Sequence, residues 1–157
     1  MLKMFKKKGE QIFSPAEGTV MALADVPDPV FASGAVGAGF AVEPSEGSFR
    51  SPVDGELILV AKTLHAFAVR TDAGAEILVH IGMDTVKLKG QGFTGHRVKG
   101  DRVQKGDLII SCDLAQMSAL VPSMVTPVLL TNGTAFAIAE TEIGADNSAP
   151  VLTVRKK

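Results

Sequence analysis

The chain has 157 residues, 46% of them hydrophobic and 21% charged, with a formal net charge of −1. That is enough apolar material for one domain with a core, and too little charge of either sign for bulk attraction to nucleic acid. No apolar run approaches the roughly 20 residues of a membrane-spanning helix, so no stable membrane insertion is expected, and a lone cysteine, Cys112, excludes an internal disulfide and suits a reducing cytoplasm.

The chain opens with MLKMFKKKGEQ, which is basic but has no apolar segment behind it. It reads as a flexible segment over residues 1–11, with a weak anchor for an anionic lipid surface as the alternative, and not as a secretory signal. Beyond it, glycine and proline cut the sequence into short apolar runs. Strands are predicted at 18–23, 39–43, 56–60, 65–70, 76–83, 107–111, 125–130, 135–139 and 151–154. Helix-period signals are scarce. One short helix is expected over 113–120, with Asp113 as N-cap and Pro122 beyond its end, and a turn around 84–88. Many short strands spaced by turns predict an all-β protein, an antiparallel β-sandwich or flattened barrel with one or two very short helices, in a single domain over 12–157.

The sequence also echoes itself. FSPAEGTVMAL (13–23) and RSPVDGELILV (50–60) share Ser-Pro-x-acid-Gly followed by an apolar strand. Proline presets a turn and glycine supplies positive φ, so both read as duplicated turn-strand motifs. KGDRVQKGDLII (99–110) adds two Lys-Gly-Asp turns.

The run ILVHIGMDTVKLKGQGF (77–93) places a histidine inside a strand pattern. Alternation sends Ile77, Val79 and Ile81 to one face and Leu78, His80 and Gly82 to the other. Upstream, Thr71-Asp72-Ala73-Gly74 reads as a hairpin turn. An even loop pairs Arg70 with Ala75, Phe67 with Leu78, and His65 directly with His80, which puts their Cβ atoms about 4.5–5.5 Å apart; a three-residue loop with a bulge would shift the register by one. Two imidazoles so close cannot both be charged cheaply, so at least one is neutral near pH 7, fit to act as a nucleophile or a metal ligand. Gly82 lets the chain bend, so that Asp84 flanks the pair or caps the turn that follows. His96, in a Gly-His-Arg loop, reads as exposed and structural.

Three other chemistries are weighed on residues alone. A zinc-dependent hydrolase would take His65, His80, Asp84 and His96 as ligands, although no His-x-His or H-E-x-x-H pattern occurs. Zinc bound at His65 and His80 without catalysis is the milder form of this reading. A biotin or lipoyl carrier would need a lysine at an exposed hairpin tip, a setting that KLKG (87–90) lacks. The glycines of GAVGAGF (34–40) lead towards a strand and not towards the helix a pyrophosphate needs.

The segment around His80, with Thr63-Leu64-His65-Ala66-Phe67 before it, resembles the glucose-type enzyme IIA of the bacterial sugar phosphotransferase system. VPDPVF (26–31), SPVDGE (51–56), GDRVQKGD (100–107) and VLTVRKK (151–157) carry the same resemblance, from about residue 12 onward. It implies a compact antiparallel β-sandwich with no cofactor. It implies that His80 accepts a phosphoryl group from HPr and passes it to the enzyme IIB of a sugar permease. His65 would steady the phosphate and Thr63 would orient His65. Asp84 and Asp28 would face a basic residue of HPr. Val30, Phe31, Val36, Leu78 and Val86 would form an apolar docking apron. Ala61 and Ala35 stand where relatives commonly carry bulkier residues. Some relatives also regulate other proteins when unphosphorylated. Glucose, N-acetylglucosamine and a β-glucoside all fit the resemblance.

Overall fold

The structure, a computed structural model, describes residues 9–144 and 147–157. Its strands are β1 (Glu10–Phe13), β2 (Gly18–Ala22), β3 (Ala38–Pro44), β4 (Ser48–Arg50), β5 (Gly55–Val60), β6 (Ala66–Arg70) and β7 (Glu76–His80). They continue as β8 (Phe93–Gly95), β9 (Arg102–Val103), β10 (Leu108–Cys112), β11 (Thr126–Leu130), β12 (Phe136–Thr141) and β13 (Pro150–Lys156). Two short helices, α1 (Pro29–Ala32) and α2 (Leu114–Leu120), complete the fold with 3-10 turns at Leu23–Asp25 and Thr85–Leu88. The Asp113 carboxylate caps α2 by accepting from Gln116 N–H, as its sequence position predicts.

Every strand pair is antiparallel. A seven-stranded sheet runs β2-β3-β11-β7-β6-β5-β9, beside two three-stranded sheets ordered β1-β13-β12 and β4-β10-β8. All three contribute to one core, among them Ile12 and Leu152, Phe49 and Ile110, and Phe40, Phe67, Val79 and Val128. The result is the expected β-sandwich. Each large side chain fully buried in it contributes on the order of 1.5–3 kcal/mol. Among the described residues, no helix is long and apolar enough to cross a membrane.

The duplicated motifs meet as a reciprocal pair. Phe13 N–H donates to Pro52 O, and Arg50 N–H donates to Pro15 O, at 2.9 and 2.8 Å. Ser14 Oγ bonds Ala16 O, and Ser51 Oγ bonds Val53 O in the matching position. Each turn therefore closes on itself and on its copy, which launches β2 and β5 from a common base.

A second apolar cluster covers the outer face of the large sheet. Leu23, Val26, Ala41, Met83, Val125 and Leu129 are buried there, with Met21, Phe31 and Leu78 packed against them. The period-two alternation of β3, β7 and β11 divides the two clusters: Phe40 and Val42 face the main core, and Ala41 faces outward. β11 is buried at every position because both its faces are covered.

Several expectations need correction. The hairpin register differs by one residue: Ala66, not His65, lies opposite His80, and Phe67 lies opposite Val79. The loop holds five residues, 71–75, because Thr71 N–H bonds Ala75 O and leaves Arg70 facing Glu76. Strand β7 ends at His80 and not at 83, since Gly82 takes a left-handed φ of 72°. Glu10 and Gln11, expected in the basic segment, are strand residues paired with Val154 and Thr153 of β13. The expectation for residues 1–8 lies outside the described residues. Strands β1, β4, β8 and β9 and helix α1 were not expected from the sequence.

Candidate functional site

The site lies at the open end of the β6–β7 hairpin. Although the two histidines are diagonal, their rings approach to 5.2 Å between centroids, edge to face at 75°. The turn before β6 brings this about. Leu64 N–H bonds Ala61 O at 2.8 Å, Leu64 takes a φ of 60°, and His65 O receives Ile81 N–H at 2.7 Å. That last bond ties the two histidine-bearing segments together just past the ladder.

Each ring has a fixed partner. His80 Nδ1 lies 2.9 Å from Gly82 O. A carbonyl only accepts, so Nδ1 carries the proton and the Nε2 lone pair is left free. His65 Nδ1 lies 2.5 Å from Thr63 Oγ1. Phe31, in α1, packs against the His80 ring at 4.9 Å. Asp28 caps α1 by accepting from Val30 N–H, with Pro29 in the first turn.

Gly82 occupies a position that only glycine fits. A Cβ there would meet Thr85 Cγ2 at 2.7 Å, Met124 Sδ at 3.0 Å and Ser123 O at 3.3 Å. The turn around it is clamped: Met83 N–H bonds Ser123 O at 2.8 Å, and the buried Thr85 hydroxyl donates to Ile81 O at 2.5 Å. Leu64 and Asp84 hold left-handed φ of 60° and 61° on either side of the pair. Such a conformation costs about 1 kcal/mol or more for a residue with a side chain.

Both imidazoles are held below the ordinary histidine value. For His65, burial is the larger cause and the neighbouring His80 adds to it. For His80, burial outweighs the opposing pull of the Gly82 carbonyl, its own carbonyl and the Asp28 carboxylate. Both rings are therefore neutral at pH 7. The half-buried Cys112 thiol is pushed up to about 11 by burial and by Asp113, so it stays protonated and inert.

Not every expected residue joins the site. Thr63, His65, His80, Phe31 and Asp28 come together. The carboxylate whose charge bears on His80 is that of Asp28. Asp84 stands at the N-cap position of the 85–88 turn without a side-chain capping bond, and its carboxylate pairs with Lys87 at 3.7 Å. Leu78 packs beside Phe31 in the outer cluster, and Val30 and Val86 are exposed. Val36 lines a groove with Leu130, Phe136 and Ile138. Sequence reasoning missed Leu64 and the threonine clamp. The D-T-V that follows Gly82 was the only local signal of the clamp.

The other chemistries fare differently. Among the described residues, no three His, Cys, Asp or Glu side chains gather as metal ligands. His96 Nε2 lies 2.8 Å from Ser111 Oγ, and the residue is exposed. Residues 34–40 run into β3, and KLKG lies in the 3-10 turn and the bend after it, away from any hairpin tip.

Comparison with known proteins agrees with this geometry. The model of the family described as phosphoenolpyruvate-dependent sugar phosphotransferase system, EIIA 1, matches residues 10–136. The PTS system glucose-specific EIIA component of Bacillus cereus is 41% identical over 155 residues, covering 97% of this chain and 94% of that protein. The PTS system beta-glucoside-specific EIIBCA component of Bacillus subtilis is 51% identical over 123 residues, 78% of this chain, which spans only 20% of that relative. The solved structure of glucose permease IIA from Mycoplasma capricolum aligns with a TM-score of 0.88 at 34% identity, covering 96% of this chain and 97% of that one. With its antiparallel sandwich and its paired neutral histidines, the chain belongs to the EIIA 1 family of the phosphoenolpyruvate-dependent sugar phosphotransferase system.

Proposed function

We propose that this chain is a phosphohistidine carrier: His80 takes a phosphoryl group from HPr and hands it to the enzyme IIB of a sugar permease. The observation that carries this reading is the His80 ring, with Nδ1 donating to Gly82 O and the Nε2 lone pair left free beside His65. In the first step the P–N bond on the HPr histidine breaks, its electron pair returns to the donor ring, and the phosphoryl group bonds His80 Nε2. The proton stays on Nδ1, donated to Gly82 O throughout, so no general base is required. The second step reverses these roles towards the acceptor side chain of enzyme IIB. Such transfer depends on positioning and charge stabilisation more than on covalent help.

His65 supplies the stabilisation. With the Thr63 hydroxyl donating to its Nδ1, the ring proton sits on Nε2 and is free to donate to a phosphoryl oxygen. The neutrality of both rings keeps the acceptor lone pair available. Around them Phe31, Leu78, Val30 and Val86 provide an apolar rim, and Asp28 provides negative charge for a basic donor surface. Val36 belongs to this apron in the same reading, at its margin, and Asp84 contributes through its ion pair with Lys87. One rim serving two partners in turn suits modest, transient interfaces. The span 12–157, extended to Glu10 by β1, is the unit that carries the activity.

The test is transfer from radiolabelled phosphoenolpyruvate through purified enzyme I and HPr, with mapping of the labelled site. His80→Ala is expected to take up no label. His65→Gln is expected to accept label on His80 but to pass it on about a hundredfold more slowly, the loss of one transition-state donor. Normal labelling of the His80→Ala protein would overturn the proposal.

A further inference from the structure

We infer that Leu64 is a positioning residue, which aims His65 through a left-handed backbone pinned by an apolar contact. The inference rests on the phosphohistidine reading above and deepens it. Leu64 stands between the two residues whose side chains form the Thr63–His65 pair. Its φ of 60° orients the peptide planes on both sides, so a return to ordinary φ would swing Thr63 and His65 apart.

Glycine adopts this conformation freely, and leucine rarely does. What leucine adds is a seat. Its side chain packs against the main core, and its Cδ2 lies 3.2 Å from the place a Cβ on Gly95 would occupy. Gly95 lies on β8, paired with Ile110 of β10, so the contact ties the histidine turn to a different sheet. The backbone on either side is tethered as well, by Leu64 N–H to Ala61 O and by Ile81 N–H to His65 O. The turn is thus held at three points, and only the leucine contact reaches the β4-β10-β8 sheet. Without it the strained peptide loses this tie to that sheet, and His65 gains freedom relative to it.

Three variants test this. Leu64→Gly keeps a backbone that fits and removes the seat. Its onward transfer from phosphorylated His80 to enzyme IIB is expected to lose about tenfold in kcat with KM nearly unchanged. Nitrogen-15 spectra of its His65 ring are expected to average two tautomers where the parent protein shows one. Leu64→Met keeps an apolar arm of similar length and is expected to restore both readouts. Gly95→Ala leaves Leu64 in place and presses a methyl group against it, with a smaller loss of kcat in the same direction; it carries the test should Leu64→Gly fail to fold. Parental kcat and a single His65 tautomer in Leu64→Gly would overturn the inference, as would a Leu64→Met protein as slow as Leu64→Gly. A parent protein that carries no label on His80 would instead overturn the carrier reading, and the ring spectra would still decide the role of Leu64.

Discussion

The β6–β7 hairpin has two ends built on opposite principles. At the closed end, Thr71, Gly74 and Ala75 bond one another, with Ala75 N–H donating to Thr71 Oγ1 at 3.0 Å. Asn132 reaches in from the β11–β12 connection: its Oδ1 accepts from Glu76 N–H and its Nδ2 donates to Gly74 O, at 2.9 and 2.8 Å. Positive φ falls there on glycine, Gly74 at 107°. At the open end it falls on Leu64 and Asp84 as well as on Gly82, and the two histidines sit among them. The relaxed end fixes the register, since a slip of one residue would send every side chain to the wrong face. That fixed register lets the strained end hold two rings in one geometry.

The largest break in this contrast is expected at Gly82. In Gly82→Ala the new methyl meets Thr85 Cγ2 at 2.7 Å and Met124 Sδ at 3.0 Å, at a φ of 72° that alanine resists. We expect a loss of about 2 kcal/mol or more in urea denaturation. We also expect near-complete loss of phosphoryl transfer, because the carbonyl that fixes the His80 tautomer moves with the turn. A variant that keeps parental stability and transfer would show that the open end is not tightly determined.

The closed end should respond differently. Asn132→Ala leaves Glu76 N–H and Gly74 O without their partner, for a cost of about 1–2 kcal/mol. The transfer rate of the folded protein should stay within about twofold, since Ile81 N–H to His65 O still ties the histidine segments. Denaturation and transfer assays on the same preparation separate the two effects. If the rate falls more steeply than the stability, the ends are coupled and the contrast fails.

How much of this the sequence disclosed follows from the range of each interaction. The alternation of Ile77, Val79 and Ile81 against Leu78 and His80 is local, and it is met: the first three are buried and the other two are not. The register was less legible: it turns on which bonds Thr71 makes within its turn, which no residue type there announces, and on Asn132, 56 residues from Glu76. β1, β4, β8 and β9 hold four, three, three and two residues, too few to show a period, and exist because partners far along the chain pair with them. The Asp28-Pro29 start of α1 carried a helix signal, yet four residues offer no apolar repeat to confirm it. Thr63, His65 and His80 were legible through their motif. The left-handed φ of Leu64 was not, because leucine advertises nothing of the kind.

The smallest expected effect is in pH dependence, and it bears on the open end alone. A histidine whose value is lowered by folding binds its proton more readily in the unfolded chain. As pH falls below about 6.5 the unfolded state takes up protons first, so stability declines until the folded rings are protonated too, and then levels off. Above that range neither state is charged and these two groups contribute no slope. Burial is the larger cause for both rings, with mutual repulsion a further one for His65. Replacing one ring should therefore reduce the slope, and replacing both should remove the part they contribute. The measurement is the denaturant midpoint at several pH values from 7.5 to 5 in the parent, in His65→Gln and in His65→Gln/His80→Ala. A parent whose stability rose as pH fell through this range, with the rise removed in the double variant, would mean that the rings are charged in the folded protein. The paired neutral imidazoles on which the site depends would then not exist.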